Sequence, residues 1–105
     1  MSTPDLFRAL GDPTRRAIFE RLARGGERTV HAITEDAGVS QPAVSKHLAI
    51  LKNAGLVRDR REGRETHYSA QPKALAPLAD WVTLYGAFWE GRFDQLEDLL
   101  KRMDQ

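Results

Sequence analysis

There is no cysteine among the 105 residues. That excludes disulfides, thiolate nucleophiles, thiol redox sensing and Cys-based metal sites together. No apolar run approaches the roughly 20 residues of a membrane-spanning helix. The N-terminal "MSTPDLFRALGDPTRR" has neither an apolar h-region nor a small-residue cleavage site, so a cytoplasmic protein with no membrane partner is expected. Histidine is confined to His31, His47 and His67, with no Ser/His/Asp or paired-carboxylate arrangement around them, and an enzyme is not expected. Low-complexity tracts are absent too. What is present, 41% apolar and 30% charged residues, is the composition of one folded domain spanning residues 1–105.

The net charge of +1 hides an uneven distribution. Residues 1 to 39 balance six Arg against six Asp or Glu, and residues 72 to 105 carry four cations against six carboxylates. Between them, Lys46, Lys52, Arg58, Arg60, Arg61 and Arg64 are set against only Asp59, Glu62 and Glu65. A basic middle flanked by neutral and acidic ends suits a polyanionic partner. Scattered solvated charge is the plainer alternative.

Leu6, Phe7 and Leu10 fall at helical spacing and predict a short first helix ending near Gly11. In "GDPTRRAIFERLARGG" Asp12 is an N-cap, Pro13 opens the second helix and Gly25-Gly26 follows its end. Ala17, Ile18 and Leu22, with Phe19 on the flank, are its expected inward face. A third helix is predicted over about Val30 to Ala37, with Ile33 and Ala37 inward, closed by Gly38. Ser40 then caps a fourth helix in which Val44, Leu48 and Leu51 form a core stripe at i, i+4 and i+7. Asn53-Ala54-Gly55 ends it.

The segment "LVRDRREGRETHYSA" predicts a β-hairpin, with Leu56 to Arg61 and Glu65 to Ala70 flanking a turn centred on Glu62-Gly63-Arg64. His67, on its second strand, is expected to face solvent. After Pro72 one long helix is predicted to about Met103, roughly 45 Å at 1.5 Å per residue, interrupted in propensity by Gly86 and Gly91. Four helices, a hairpin and a fifth helix, with a tight turn between the third and fourth, make a mainly α fold with a β-hairpin wing: a winged helix-turn-helix.

The motifs become specific at this point. "LFRALGDPTRRAIFERLARGG" followed by "GVSQPAVSKHLAILKNAGLVRDRREGRETHYS", residues 6 to 69, resembles the ArsR (arsenic-repressor-like) family of bacterial transcriptional regulators. Within it, "S-x-x-x-V-S-x-H-L-x-x-L-x-x-A-G-L-V" combines turn, core stripe and hairpin entry. "FWEGRFDQLEDLL" resembles the last helix of metal-independent members. The resemblance implies a sequence-specific DNA-binding regulator, a homodimeric repressor on a palindromic operator, with helix 40–53 in the major groove and hairpin 56–70 as the wing.

The outer face of the fourth helix fits that implication, since it holds small and hydrogen-bonding residues and no carboxylate. A helix entering the major groove needs both. By resemblance Gln41, Ser45 and Lys46 match the base-facing positions, with Pro42 beside them. Ser40 has two candidate roles, N-cap or phosphate contact with the helix N-terminus. His47, flanking the core stripe, either packs or donates to a phosphate. Arg60, Arg61 and Arg64 surround the wing tip and are candidate contacts to the DNA backbone or minor groove. Arg15 and Arg16 lie beside Asp12, where a local ion pair and a phosphate contact are the alternatives.

Five of the eight aromatics, Trp81, Tyr85, Phe88, Trp89 and Phe93, lie on the last helix, more apolar surface than a small domain covers. A two-fold dimer joining these helices, with Val82 and Leu96 and the Leu6, Phe7 and Leu10 helix alongside, is the economical solution. The resemblance implies the same. It also directs attention to metal sensing, because the family's "ELCVCDL" box falls on Glu27, Arg28, Thr29, Val30, His31, Ala32 and Ile33. Both its Cys are missing; His31 replaces the second, and Glu35 follows one turn later. Two ligands seldom make a specific site, so neither metal nor other cofactor is expected. An unidentified organic effector in the aromatic seam, or control by abundance alone, are the choices left. The competing function is a winged-helix module for protein interaction without specific DNA binding; an apolar or acidic outer face on the fourth helix would be its mark.

Overall fold

The computed structural model describes residues 3–86 and 98–103. Helix α1 spans Thr3–Gly11, α2 Pro13–Gly25, α3 Val30–Ala37 and α4 Gln41–Asn53. Strand β1 is Arg28–Thr29; β2, Val57–Glu62, and β3, Glu65–Ala70, form the hairpin; a 3-10 turn at Pro72–Leu75 leads into α5, Ala76–Leu84. This is the winged helix-turn-helix arrangement expected from the order of elements. No helix among the described residues is long and apolar enough to cross a membrane.

The helix starts follow their caps. Asp12 accepts a hydrogen bond from the Arg15 N–H at 2.9 Å, and Ser40 accepts one from the Ala43 N–H at 3.3 Å. The Arg15 bond holds the Asp12 carboxyl below its usual range. Thr29 does the same for α3, accepting from the Ala32 N–H at 3.1 Å. Each satisfies a first-turn donor that the helix cannot.

The end of α4 determines where the wing begins. Gly55 adopts φ 78, the left-handed region that favours glycine. The Leu56 N–H donates to the Leu51 carbonyl at 2.9 Å and the Gly55 N–H to the Lys52 carbonyl at 2.9 Å. This pair of bonds is a Schellman motif, with Leu51 and Leu56 as its accompanying apolar contact. The Gln71 N–H then donates to the Leu56 carbonyl at 2.8 Å, closing the base of the hairpin.

One core ties these elements together. Leu6 and Ala9 from α1, Ile18, Phe19 and Leu22 from α2, Ile33 from α3, and Val44, Leu48 and Leu51 from α4 are buried, as are Ala54, Leu56 and Val57 where the wing departs. Ala17, expected inward, is exposed instead. The buried stripe of α2 is Ile18, Phe19 and Leu22, which turns the adjacent position out to a surface cleft.

Three further expectations are corrected. The sheet has three strands in the order β1-β3-β2, with Arg28 opposite Tyr68 and Thr29 opposite His67. A two-residue strand is too short to show a period of two. The hairpin turn is only Gly63-Arg64, because Glu62 pairs with Glu65; Gly63 supplies the positive φ, 62, that the first position of such a turn demands. Lastly, the helix predicted from residue 73 starts as α5 at Ala76. Pro77, in its first turn, has no N–H and its ring would clash with the carbonyl four residues back, so an α-helix through Lys73 is blocked. Helix α5 stops before Tyr85 (φ −101, ψ 3). Residues 98–103 are helical again, and the expected continuity between, with Gly91, lies outside the described residues.

The arginines after Asp12 make no ion pair with it. Arg15 donates to the carbonyls of Ala9, at 2.6 Å, and Arg8, at 3.0 Å, while Arg16 donates to that of Leu10 at 2.9 Å. They satisfy the C-terminal carbonyls of α1, which have no helical partners.

Leu48 has 0% exposure in the middle of the core. Leu48→Ala should cost about 2–5 kcal/mol, the range for a buried leucine that leaves a cavity. Urea unfolding followed by circular dichroism checks it; a loss below 1 kcal/mol on that scale would show that the core closes over the gap.

Candidate DNA-recognition face

Helix α4 divides cleanly. Val44, Leu48 and Leu51 have no exposed surface, whereas Gln41, Pro42, Ser45, Lys46 and Ala49 are exposed. Ser40 spends its hydroxyl on the cap.

The cations of residues 40–71 separate into engaged and free. Lys52 is paired with Asp59 at 3.1 Å, Arg58 donates to the Ser69 hydroxyl at 3.3 Å, and Arg60 is held by two carboxylates. Lys46, Arg61 and Arg64 have no ion-pair partner among the described residues and are exposed. Arg64, at the wing tip, lines a cleft of about 250 Å³ with Gln41 and Ser45 of α4, and with His31 at the start of α3. Gln41 and Ser45 are one turn apart on α4; the fold brings Arg64 and His31 to them.

His47 is half-buried, and its Nδ1 lies 3.3 Å from Arg15 Nη1. A guanidinium can only donate, so Nδ1 is the acceptor and the neutral ring carries its proton on Nε2. The same Arg15 holds α1, so one side chain connects the first helix to α4.

Arg60 is the wing cation the structure engages most fully. Its Nε donates to Glu27 Oε2 at 2.9 Å, its Nη2 to Glu27 Oε1 at 2.6 Å and its Nη1 to Glu62 Oε2 at 2.8 Å. The fork is bidentate on Glu27, the geometry in which a guanidinium matches a carboxylate best. These bonds hold the Glu27 carboxyl below its usual value and push the Arg60 guanidinium above its own. Arg60 therefore fastens the wing to the loop before β1, and a phosphate would have to compete with two carboxylates for it. Glu27 was missed in the sequence because its partner lies 33 positions away.

His67 does not face solvent as expected. Its side chain is 19% exposed, with Nδ1 3.7 Å from Glu27 and Nε2 3.7 and 3.9 Å from Glu62 and Glu65. Hairpin register brings Glu62 and Glu65 to it, and the pairing of β1 with β3 brings Glu27. His31 and Glu35 do meet, at 3.1 Å, but both are largely exposed. Among the described residues no group of three or more His, Cys, Asp or Glu is placed to hold a metal ion.

On α1, α5 and the residue that ends α5, Phe7 (46% exposed), Trp81 (44%), Val82 (60%) and Tyr85 (42%) form an apolar surface. Phe7 and Trp81 meet edge to face with centroids 5.2 Å apart, and Trp81 and Tyr85 are 5.1 Å apart. Leu6, expected to belong with them, is completely buried in the protomer's own core, and Leu10 is half-buried. Helix α1 turns Leu6 and Ala9 inward, which leaves Phe7 to the outer face. Phe88, Trp89, Phe93 and Leu96 lie outside the described residues.

Comparison with known proteins follows the same lines. The profile of the bacterial regulatory proteins of the arsR family matches residues 12–59. The transcriptional repressor SdpR of Bacillus subtilis (strain 168) is 38% identical over 78 residues, covering 74% of this chain and 86% of SdpR. The HTH-type transcriptional regulator Rv2034 of Mycobacterium tuberculosis is 49% identical over 77 residues, covering 72% and 71% of the two chains. Among solved structures, a homodimeric winged helix-turn-helix DNA-binding domain from Mycobacterium bovis superposes with a TM-score of 0.64 at 33% identity, over 80% of this chain and 77% of its own.

The Glu27–Arg60 link carries a pH signature. A carboxyl held below its ordinary value of 4.5 stabilises the fold fully above that value and loses the contribution as pH falls through its folded-state value. Glu27→Gln should therefore unfold at a slightly lower temperature than the wild type at pH 7, with the gap closing towards pH 3. The effect is small because the pair is exposed. Asp12 titrates in both proteins and cancels in the difference. Thermal scans by circular dichroism read it, and a gap that stays constant with pH would deny the link.

Proposed function

The chain belongs to the arsR family of bacterial regulatory proteins and is a DNA-binding transcriptional regulator, and from that premise we propose that it is a homodimeric repressor of a roughly palindromic operator. It is not an enzyme; the relatives it matches are transcriptional regulators. In this reading residues 1–105 act as one domain, α4 enters the major groove, and the hairpin lies against the flanking backbone. Gln41, Ser45 and Lys46 address base edges, as Gln suits adenine and Lys suits guanine. Arg61 and Arg64 take phosphates, His47 Nε2–H and Ser40 are backbone contacts at the edge of the helix, and Pro42 lets the backbone approach closely. Arg60 contributes by holding the wing and reaches DNA only by giving up Glu27 and Glu62.

The observation that carries this reading is the cleft shared by Gln41, Ser45 and Arg64. It sets hydrogen-bonding side chains of α4, a helix without carboxylates, beside the wing cation Arg64, with Glu65 of the wing as the one carboxylate in its lining. A module built for protein contact would show an apolar or acidic face there. The Phe7, Trp81, Val82 and Tyr85 surface supports the dimer, and the similar M. bovis domain is homodimeric. A two-fold pair would set its two α4 helices about 34 Å apart, one turn of B-DNA.

Fluorescence anisotropy with DNA from the protein's own promoter tests the readout. Lys46→Ala should lose about 1–3 kcal/mol at the base it reads and relax the preference there. Arg64→Ala should instead weaken all sequences alike and reduce the magnitude of the salt slope by about one. Unchanged base preference in the first, or an unchanged slope in the second, would remove that residue from the interface.

The oligomer is tested separately. Sedimentation at micromolar concentration should show a dimer, and Trp81→Asp a monomer. A wild-type monomer would defeat the proposed symmetry.

A further inference from the structure

A second cleft, of about 240 Å³, lies between α2 and α3, away from the residues assigned to DNA. Its floor is apolar, made by Ile18 and Leu22 of α2 and Ile33 of α3, and Ala17 stands exposed on its wall. Its rim is an ion cluster drawn from three elements: Arg28 Nη1 of β1 lies 2.7 Å from Asp36 Oδ2 of α3, and Arg21 Nη1 of α2 lies 3.5 Å from the same oxygen. Two guanidinium groups thus share one carboxylate, leaving an excess positive charge at the mouth of an apolar pocket.

We infer that this cleft binds a small organic carboxylate with a compact apolar body. The apolar floor takes the body, and Arg21 and Arg28 take the carboxylate, as a guanidinium fork recognises such a group with paired hydrogen bonds. The exchange costs little, since Arg21, Arg28 and Asp36 are between a third and a half or so exposed and ion pairs of that kind contribute little. The volume lies below the range of about 300–1,000 Å³ that holds drug-sized ligands, so the occupant is small. Ala17 gives the pocket its depth, because a larger side chain there would fill it.

The walls carry the DNA-reading parts. Helix α3 leads through Gly38 and the short turn to α4, and β1 is paired with β3 of the wing. A carboxylate that draws Arg28 from Asp36 acts on both at once. That consequence rests on the function proposed above; binding to the cleft does not.

The test uses the full-length, isotopically labelled protein and benzoate, read by amide chemical shifts. Saturable shifts are expected at Ala17, Arg21, Ile33 and Asp36. Benzyl alcohol, the same body without the carboxylate, should bind about tenfold more weakly, a difference of 1.4 kcal/mol. Ala17→Leu should abolish the shifts, and Arg21→Gln, a surface change that leaves the core intact, should weaken them about as much as loss of the carboxylate does. No saturable shift with benzoate, shifts centred elsewhere, equal binding of the alcohol, or full binding in Arg21→Gln would each overturn the site. Anisotropy with promoter DNA, with and without saturating benzoate, should change affinity at least severalfold, and unchanged affinity would overturn the regulatory consequence. If the protein bound no promoter DNA at all, the proposed function would fail while the shifts at the cleft still decided the site.

Discussion

The constraint on which the rest depends is the way α4 is held and then released at Gly55. Val44, Leu48 and Leu51 have no exposed surface, so the helix has a single rotational setting about its axis; any other would bring polar residues into the core. With that rotation set, Gln41, Ser45 and Lys46 must project outward. Gly55 then reverses the chain with its left-handed φ, and Leu56 and Val57 return to the same core that holds the helix. Helix and wing are therefore two ends of one buried run. A residue with a Cβ at position 55 would resist the turn by about 1–2 kcal/mol, and relief by a different turn would aim the wing elsewhere.

Charge is arranged with comparable economy. Cations whose work is internal are satisfied internally: Arg15 and Arg16 on the carbonyls of α1, Arg60 on Glu27 and Glu62, Lys52 on Asp59. Of the cations of residues 40 to 71, Lys46, Arg61 and Arg64 have no ion-pair partner among the described residues. Net charge along the chain singles out residues 40 to 71 but cannot sort their cations, because sorting depends on partners that are distant in sequence.

That difference separates what was legible in the sequence from what was not. Features governed by local rules could be read directly: the Asp12 and Ser40 caps, the span Val30–Ala37, the stripe Val44, Leu48 and Leu51, the stop at Gly55. Each depends on residues within about two helical turns. Features governed by pairing at a distance could not. Strand β1 exists only because β3 lies beside it, Glu27 finds Arg60 across the sheet, and His67 meets Glu62 and Glu65 through hairpin register and Glu27 through β1. Leu6 is an intermediate case: its helical face was plain, but whether that face met the protomer's core or a second copy needed the fold. Pro77 is a local signal of the same kind, and it moves the start of α5 to Ala76.

The wing has no slack. Its strands are paired to their last residues, Glu62 with Glu65, and only Gly63 and Arg64 make the turn. Arg64 consequently stands at a distance from the core set by the number of residue pairs below it, about 3.4 Å for each. Adding one pair would lengthen the arm by that step and turn the tip to the opposite face of the sheet, while two pairs would restore the face about 7 Å farther out. The hairpin is a ruler with discrete marks, and its present length selects one of them.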